Sequence, residues 1–489
     1  MSQIIAILGS GFSSLSAACY LAQGGHIVTI YEKNTQIGGR AQQYKKDGFT
    51  FDMGPTWYWM PDVFERFFSD FDRTPQDFYH LDRLNPAYEV YFGNKDSIQI
   101  SSNIDEIYSL FEEEEKGSAH QLKLFLKQAQ DNYNVAVTDL VYRPGVSPLE
   151  LISSKTVTKL NQLFFDIRSQ ISKKFKNPRL KKILEFPVLF LGAKPSNTPA
   201  MYNFMNWADF GLGTWHPKKG MFEVAKGMAT LAKELGVQFI TQATVHKIEV
   251  NNKRHATRIL VNEAWITADI VLSGADYHHT EKLLDKKFRQ YSENYWSEKI
   301  FAPSSLLFYV GFDKKIKNVS HHTLFFDKEF DSHAEDIYDS PAWPKDPLFY
   351  ASFPSITDSS LAPSGQESAT FLIPIAAGLE DNEAYRNKYF DLILDRLEKL
   401  TNQELRGHVL FSKSYCVEDF KEDYNSYKGN AYGLANTLTQ TAFMRPKIKS
   451  KKVRNLFFTG QLTVPGPGVP PALISGKIAA KSILKQINE

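Results

Sequence analysis

Residues 4–32, IIAILGSGFSSLSAACYLAQGGHIVTIYE, carry the clearest fold signal in this chain. Its first five residues are all apolar, as in a strand that is buried on both faces of a parallel sheet. A glycine-rich turn follows, then apolar residues at helical spacing as far as Gly24, and then a second apolar run that ends at Tyr31. Strand, helix and strand in this order predict a βαβ unit in a parallel sheet.

The turn of this unit carries the spacing of a dinucleotide-binding motif. Gly9 permits the tight turn, and Gly11 lets the backbone approach a pyrophosphate group at the N-terminus of the helix. Glu32 lies 23 residues after Gly9, where a carboxylate accepts a hydrogen bond from a ribose 2′-OH. Ser14 replaces the third glycine, so the motif is imperfect. The strand, helix and acid around it favour a dinucleotide site over a purely structural turn.

Two further segments indicate that the dinucleotide is a flavin. Gly38-Gly39-Arg40 follows the second strand and places a guanidinium where it can contact phosphates. Near the C-terminus, NLFFTGQ (455–461) reads as a buried strand and turn, and PGPGVPP (465–471) precedes a predicted helix from about residue 472 to 487. The positive end of such a helix can stabilise a reduced, anionic flavin ring. The alternative is that this helix only packs on the core.

Composition and charge exclude several classes of protein. Among 489 residues, 57 Lys and Arg stand against 55 Asp and Glu, so a net charge of +2 gives no general attraction for nucleic acid. Two cysteines are too few for a zinc site or a disulfide framework, and the pairs His278-His279 and His321-His322 lack acidic or cysteine neighbours at ligand spacing. We therefore expect no metal. Aromatic residues make up 13% of the chain, which hints at a large apolar ligand or interface.

The segment from Glu150 to Glu185 is strongly basic and contains apolar residues at helical spacing. Its basic residues are Lys155, Lys159, Arg168, Lys173, Lys174, Lys176, Arg179, Lys181 and Lys182, and its apolar ones include Leu160, Leu163, Phe164, Ile167, Ile171 and Phe175. We interpret the segment as a basic amphipathic helix on an anionic membrane surface, with a solvated helical face as the alternative. The chain starts without an export signal and has no run of about 18 apolar residues. The expected location is therefore the cytoplasmic side of a membrane, as a peripheral protein.

Six segments follow one another as they do in bacterial-type phytoene desaturases and related carotenoid desaturases. They are GSGFSSL, EKNTQIGGR, FDMGPTWYWMPD, WADFGLGTWHPKKGMFEVAKGMATLAKELG, ADIVLSGAD and NLFFTGQLTVPGPGVPPALISGK. The chain therefore resembles that family over nearly its whole length. The resemblance implies an amine-oxidase-like flavoprotein fold, FAD as the redox cofactor and a long isoprenoid hydrocarbon as the substrate.

The resemblance also assigns cofactor contacts to individual positions. It implies the pyrophosphate turn at Gly9, Gly11 and Ser14, the ribose acid at Glu32, a phosphate contact at Arg40, a turn near the flavin at Thr56 and Trp57, the adenine end at Val245, and flavin contacts at Gly460, Gly468 and Val469. Two departures affect these contacts. Ser13-Ser14 replaces a more usual glycine pair, and Gly274 stands where relatives often carry asparagine.

The expected fold class is α/β, with a discontinuous Rossmann-like FAD-binding domain, a mixed-sheet substrate domain and a helical membrane-facing subdomain. The FAD-binding domain is predicted from residues 1–84, 216–300 and 446–489. Residues 85–118 and 301–445 would form the substrate-binding domain, and residues 119–215 the helical subdomain.

The predicted function is FAD-dependent desaturation of phytoene, in steps, to lycopene, with oxygen or a quinone as the electron acceptor. The alternatives are a desaturase of a hydroxylated or later carotenoid, such as a 1-hydroxycarotenoid 3,4-desaturase, a flavin-dependent polyene isomerase or saturase, and a non-enzymatic carotenoid binder. Candidate residues for an apolar tunnel are Trp57, Tyr58, Trp59, Trp207, Phe210 and Trp215. Asp139, Arg143 and His216 are candidate proton acceptors, among which the sequence makes no choice. The catalytic residues therefore remain unassigned.

Overall fold

The computed structural model of the protein describes residues 1–138, 140–147, 150, 165–437 and 439–489. The strands are β1 (Ile4–Leu8), β2 (Ile27–Tyr31), β3 (Gln43–Lys46), β4 (Phe49–Asp52), β5 (Leu81–Arg83), β6 (Tyr88–Gly93), β7 (Asp96–Ile100), β8 (Trp215–Pro217), β9 (Gln238–Ile240), β10 (Val245–Val250), β11 (Ala256–Val261), β12 (Ala264–Thr267), β13 (Ile270–Ser273), β14 (Ser304–Phe312), β15 (His322–Phe325), β16 (Phe349–Ser352), β17 (Glu367–Ile375), β18 (Val409–Tyr415) and β19 (Leu456–Phe458).

The helices lie between and around these strands. They are α1 (Phe12–Gln23), α2 (Pro61–Ser69), α3 (Ile104–Glu114), α4 (Ser118–Thr138), α5 (Ile167–Ser172), α6 (Pro178–Glu185), α7 (Phe204–Asn206), α8 (Phe222–Glu234), α9 (Tyr277–Lys282), α10 (Glu293–Ser297), α11 (Phe330–Tyr338), α12 (Glu383–Thr401), α13 (Val417–Tyr424) and α14 (Val469–Asn488). None of the described helices is both long and apolar enough to cross a bilayer.

A five-stranded parallel sheet carries the predicted βαβ unit. Its strand order is β19-β13-β1-β2-β9, and all four neighbouring pairs are parallel. Side chains alternate between the two faces of β1, as the strand period requires. Ile5 and Ile7 pack with α1, α8 and α14, whereas Ala6 and Leu8 pack on the side of the β10–β12 meander. Both faces of β1 are therefore buried, which explains its continuous apolar run.

A seven-stranded sheet forms the second layer of the molecule. Its order is β18-β14-β17-β16-β15-β6-β7, and within it only the pair of β15 and β6 is parallel. The sheet is therefore mixed. Its strands lie inside the segments predicted for the substrate domain, and the strands of the parallel sheet lie inside those predicted for the FAD-binding domain. The domain boundaries themselves stay a prediction.

Two details differ from the sequence prediction. Helix α14 begins at Val469, before the predicted start near residue 472, because Pro470 and Pro471 occupy its first turn, where a missing N–H costs no hydrogen bond. The apolar residues Ile167, Ile171 and Phe175 of the basic segment are fully buried in the main core, so they do not form a face toward lipid. The earlier apolar positions, Leu160, Leu163 and Phe164, lie outside the described residues.

Candidate active site

A cavity of about 1130 Å³ opens at the carboxyl ends of β1, β2 and β13. In open α/β sheets, ligands bind at this edge. The cavity brings together residues that are far apart in the sequence. Its wall includes Gly9, Gly11, Glu32, Arg40, Thr56, Trp57, Val245, Gly460, Gly468 and Val469, which are all the predicted cofactor contacts except Ser14.

The glycine turn leaves open space at the N-terminus of α1. Gly9 has a φ of 83°, a conformation that favours glycine, and its N–H donates to the Tyr31 carbonyl over 2.8 Å. Gly11 caps α1 without any side-chain hydrogen bond, and a Cβ atom placed on it would meet no protein atom within 4 Å. The first N–H groups of α1 therefore face a cavity with room for an anion, which is the arrangement that binds a pyrophosphate.

Glu32 is held rigidly beside this turn. Its Oε2 atom accepts hydrogen bonds from the backbone N–H of Ser10 over 2.9 Å and from the Ser10 hydroxyl over 2.7 Å. Its Oε1 atom accepts one hydrogen bond from the Asn34 N–H over 2.9 Å. A carboxylate oxygen can accept more than one hydrogen bond, so Oε1 keeps capacity for a hydroxyl group in the cavity.

The two departures from the family pattern lie against each other. A Cβ atom on Gly274 would come within 2.0 Å of Ser14 Oγ and 3.5 Å of Ser13 Oγ. Ser14 is fully buried, and its hydroxyl has no hydrogen-bond partner among the described residues. The Ser14 side chain therefore packs against Gly274 in the interior and does not line the cavity. In this position it leaves no room for a side chain at residue 274.

Arg40 places a guanidinium at the cavity wall, and only some of its N–H groups have hydrogen-bond partners among the described residues. Its Nη2 group donates to Ser426 Oγ over 3.2 Å and to the Asn430 carbonyl over 3.1 Å, and the guanidinium lies 5.1 Å from the Tyr424 ring centre. Its Nε atom is buried without a partner among the described residues. Burial lowers the pKa of Arg40, so a nearby phosphate would offset the cost of keeping this cation inside the protein.

Arg445 organises the C-terminal wall of the cavity and was not predicted from the sequence. It is buried, and its N–H groups donate to the carbonyls of Leu434, Gln440, Gln461 and Thr463 and to Asn436 Oδ1, over 2.7 to 3.2 Å. These bonds join the loop at 434–440 to the turn that follows Gly460. A basic residue in an ordinary polar stretch gives no sequence signal for this role.

Much of the remaining cavity wall is apolar. It includes Phe186, Met201, Phe204, Met205, Leu324, Phe326, Phe330, Leu348 and Leu372. Of the predicted tunnel residues, Trp57 and Trp59 line this wall. The other four do not: Tyr58 stacks on Phe64 with ring centres 4.2 Å apart, and Trp207, Phe210 and Trp215 pack in the core away from the described wall. The structure does not place these four at the cavity, because an aromatic side chain fills a core as readily as it lines a ligand site.

The candidate proton acceptors have different positions. Arg143 lines the cavity, His216 is buried outside its wall, and Asp139 lies outside the described residues. No set of three potential metal ligands is present in the part of the chain that the structure describes. Tyr350, which was missed in the sequence, lines the cavity, and its hydroxyl lies 2.8 Å from Thr56 Oγ1.

A glycine turn at a helix N-terminus, a fixed acid and a buried guanidinium around one cavity define a dinucleotide-binding oxidoreductase fold. The family model of flavin containing amine oxidoreductases matches residues 12–484. A carotenoid 3,4-desaturase of Haloarcula japonica is 39% identical over 487 residues, covering 99% of this chain and 98% of that protein. A 4,4'-diapophytoene desaturase (4,4'-diaponeurosporene-forming) of Staphylococcus haemolyticus is 32% identical, covering 99% of both chains.

An oxidoreductase from Methanosarcina mazei shares the fold, with a TM-score of 0.64 at 16% identity over 98% of this chain and 99% of that one. The chain belongs to the flavin-containing amine oxidoreductase family and, within it, to the carotenoid desaturases. It is an FAD-dependent oxidoreductase that acts on CH–CH groups, which confirms the family, the enzyme class and the cofactor that the sequence predicts.

Proposed function

We propose that the protein desaturates a long, linear carotenoid within the cavity. The observation that carries this proposal is the continuity of the cofactor wall with an apolar wall that offers space for a hydrocarbon chain. FAD, when bound, supplies the acceptor for a hydride from the substrate. In the proposed complex, Gly9, Gly11, Glu32 and Arg40 hold the dinucleotide, and Trp57 and Trp59 place the chain next to it.

We propose 3,4-desaturation of a later carotenoid as the first candidate reaction. It is supported by the 39% identity to a carotenoid 3,4-desaturase, compared with 32% to a diapophytoene desaturase. Stepwise conversion of phytoene to lycopene is the second candidate, and it stays a prediction from the sequence. Both reactions remove two hydrogens from adjacent carbons, so both use the same apolar wall and the same cofactor.

Product analysis distinguishes these reactions. Purified protein loaded with FAD is incubated in liposomes with phytoene, lycopene or a 1-hydroxylated carotenoid, and with either oxygen or a quinone. We expect products that are lighter by two hydrogens per step and absorb at longer wavelength, because each step extends the conjugated system. If phytoene loses hydrogens and the other two substrates do not, the result would favour the conversion of phytoene to lycopene. An unchanged mass with altered geometry would identify an isomerase, and a gain of hydrogens a saturase.

We further propose that the protein contacts a membrane through the surface around Phe165. This side chain is 58% exposed, and the ammonium of Lys173 lies 5.4 Å from its ring centre. Arg168 and Arg179 of the same basic segment are already engaged in ion pairs with acidic residues. The proposal therefore depends on Lys173, Lys174 and Lys176 together with Phe165, and a lipid-soluble substrate supports it.

Changing Lys173, Lys174 and Lys176 together to glutamate is expected to weaken co-sedimentation with anionic liposomes, because the change replaces attraction to the lipid headgroups with repulsion. Wild-type binding should also fall at high salt. The matched control changes Lys449, Lys451 and Lys452, which are exposed elsewhere, to glutamate and therefore alters the net charge equally. Equal losses in both variants would indicate a general charge effect and contradict the proposed contact surface.

A further inference from the structure

Two hydrogen bonds connect the cavity wall to a buried imidazole behind Trp57. We propose that Tyr350 accepts the proton that the substrate loses during desaturation, and that His322 takes the proton of the Tyr350 hydroxyl in the same step. This proposal rests on the desaturation proposed above. It assigns a catalytic role to Tyr350 and a relay role to His322, and neither role is predicted from the sequence.

The hydroxyl of Tyr350 takes part in two short hydrogen bonds. Tyr350 and Thr56 both line the cavity, and their hydroxyl oxygens lie 2.8 Å apart. The Tyr350 hydroxyl lies 2.7 Å from Nδ1 of His322, which is fully buried at the start of β15. The imidazole of His322 stacks on the Trp57 indole with ring centres 4.0 Å apart and an angle of 10° between the planes. Trp57 therefore holds the imidazole in place behind the cavity wall.

A second imidazole, that of His321, lies beside His322. The two rings are in edge contact, with centres 4.4 Å apart, and Nε2 of His322 is buried without a hydrogen-bond partner among the described residues. Nδ1 of His321 lies 2.6 Å from the hydroxyl of Thr357, and Thr357 is exposed. A proton that reaches His321 therefore has an exit to the surface.

Two further groups face this pair of imidazoles. The ring of His216 lies 4.7 Å from that of His321, and Nε2 of His216 lies 3.5 Å from the buried carboxylate of Asp358. A carboxylate at this distance stabilises a positive charge that passes through the cluster. Burial lowers the pKa of His321 and of His322 well below the usual value, so both rings are neutral at rest, and an imidazolium at either position is acidic and gives its proton up readily.

The proposed step balances hydrogens and charge. Removal of two hydrogens across a carbon–carbon bond releases one as a hydride, for which FAD supplies the acceptor, and one as a proton from the neighbouring carbon. The C–H bond of that carbon breaks, its electron pair forms the new double bond, and the proton joins the Tyr350 oxygen. The original Tyr350 O–H bond breaks as its proton moves to Nδ1 of His322, which leaves a neutral tyrosine and an imidazolium.

The carboxylates on the same wall are less suited to this role. Glu150 accepts backbone N–H groups of Gly145, Val146 and Ser147, and Asp276 accepts those of His279 and Tyr427. These bonds occupy the oxygens of each carboxylate, and burial of Asp276 raises its pKa in spite of them. Tyr350 by contrast presents a hydroxyl with an acceptor directly behind it.

The test compares Tyr350→Phe and His322→Asn with wild type. The phenylalanine keeps the ring but removes the hydroxyl, and the asparagine amide can keep a hydrogen bond to Tyr350 but cannot take up a proton. The matched control is Tyr389→Phe in α12, which removes a buried hydroxyl that donates to the Pro344 carbonyl, away from the cavity wall. Each protein is assayed for FAD content, for substrate affinity and for the rate of double-bond formation.

We expect the rate of double-bond formation to fall by a factor of about 100 or more in both relay variants, since positioned acid–base groups contribute on the order of 10²–10⁴ in rate. FAD content and substrate affinity should stay at the wild-type level, and some oxidised substrate should be captured by water as an alcohol. In protein with ¹⁵N-labelled histidine, the Nδ1 resonance of His322 should shift in Tyr350→Phe without any substrate present.

Three results would overturn the relay. They are double-bond formation by Tyr350→Phe near the wild-type rate, a loss in either variant that weaker binding of FAD or substrate explains entirely, and an equal loss in Tyr389→Phe. Failure of the wild type to desaturate any of the carotenoids would instead refute the proposed function. The two proposals therefore fail in distinguishable ways.

Discussion

Replacing Arg445 with methionine is expected to lower the free energy of unfolding by about 3–5 kcal/mol, because buried acceptors left without a partner cost about 1–3 kcal/mol each before water or rearrangement compensates. The change removes five hydrogen bonds, four of them to backbone carbonyls. Methionine fills a similar volume, so the loss is one of hydrogen bonding and not of packing. The urea concentration at the unfolding midpoint measures the effect.

The same substitution should also weaken FAD binding. Arg445 fixes the carbonyls of Gln461 and Thr463, and Gln461 lies beside Gly460 in the cavity wall. Arg445→Lys should recover only part of the stability, since an ammonium has three donors and no planar fork.

The control is Arg406→Met, because Arg406 is exposed and pairs with Asp391 and Asp395 at the surface. We expect that variant to stay within about 0.5 kcal/mol of wild type. Similar midpoints for Arg445→Met and Arg406→Met would show that the buried network contributes little.

Replacing Gly274 with alanine is expected to destabilise the protein by about 1–3 kcal/mol and to weaken FAD binding, because an added Cβ atom overpacks a closed interior. That atom would lie 2.0 Å from Ser14 Oγ and 3.3 Å from Ser14 Cβ, so the buried Ser14 side chain must rotate or the turn and α1 must move apart. The turn and α1 both form the cofactor wall, so a displacement of either one reaches the dinucleotide site. Thermal unfolding and retention of FAD during gel filtration measure the two effects.

A second substitution tests the cause of this loss. Ser14→Ala removes the hydroxyl and leaves a Ser14 Cβ position 3.3 Å from the new atom, and the hydroxyl has no hydrogen bond to lose among the described residues. The double variant should therefore recover most of the stability, with a coupling energy of about 0.5–3 kcal/mol between the sites. Gly407→Ala is the control, since its added atom would meet nothing within 4 Å. Simple additivity of the two changes would contradict a direct clash.

Local signals in the sequence predicted much of the cofactor site. The βαβ unit, its glycine turn and Glu32 lie within one continuous stretch, and their spacing follows from the geometry of a single strand, turn and helix. The segments around Arg40, Trp57 and Gly468 were found because each carries its own turn residues. The structure places all of them at one cavity, although their individual contacts with FAD stay predictions.

The same signals failed where neighbouring residues point in different directions. Trp57 and Trp59 line the cavity while Tyr58 between them faces the core, and the apolar side of α5 packs inward instead of toward lipid. Hydrophobic spacing identifies a buried face but not what covers it.

Residues close together in the chain specify the βαβ unit, the dinucleotide-binding turn and the C-terminal helix, so these were predictable. The partners of Arg445, the dependence of Gly274 on Ser14 and the hydrogen bonds behind Trp57 arise instead from tertiary packing. Thr56 and Tyr350 are 294 positions apart, and Tyr350 and His322 are 28 apart, yet their polar atoms meet within hydrogen-bond distance. Such contacts are set by how two sheets pack around one cavity, and no local pattern encodes that packing.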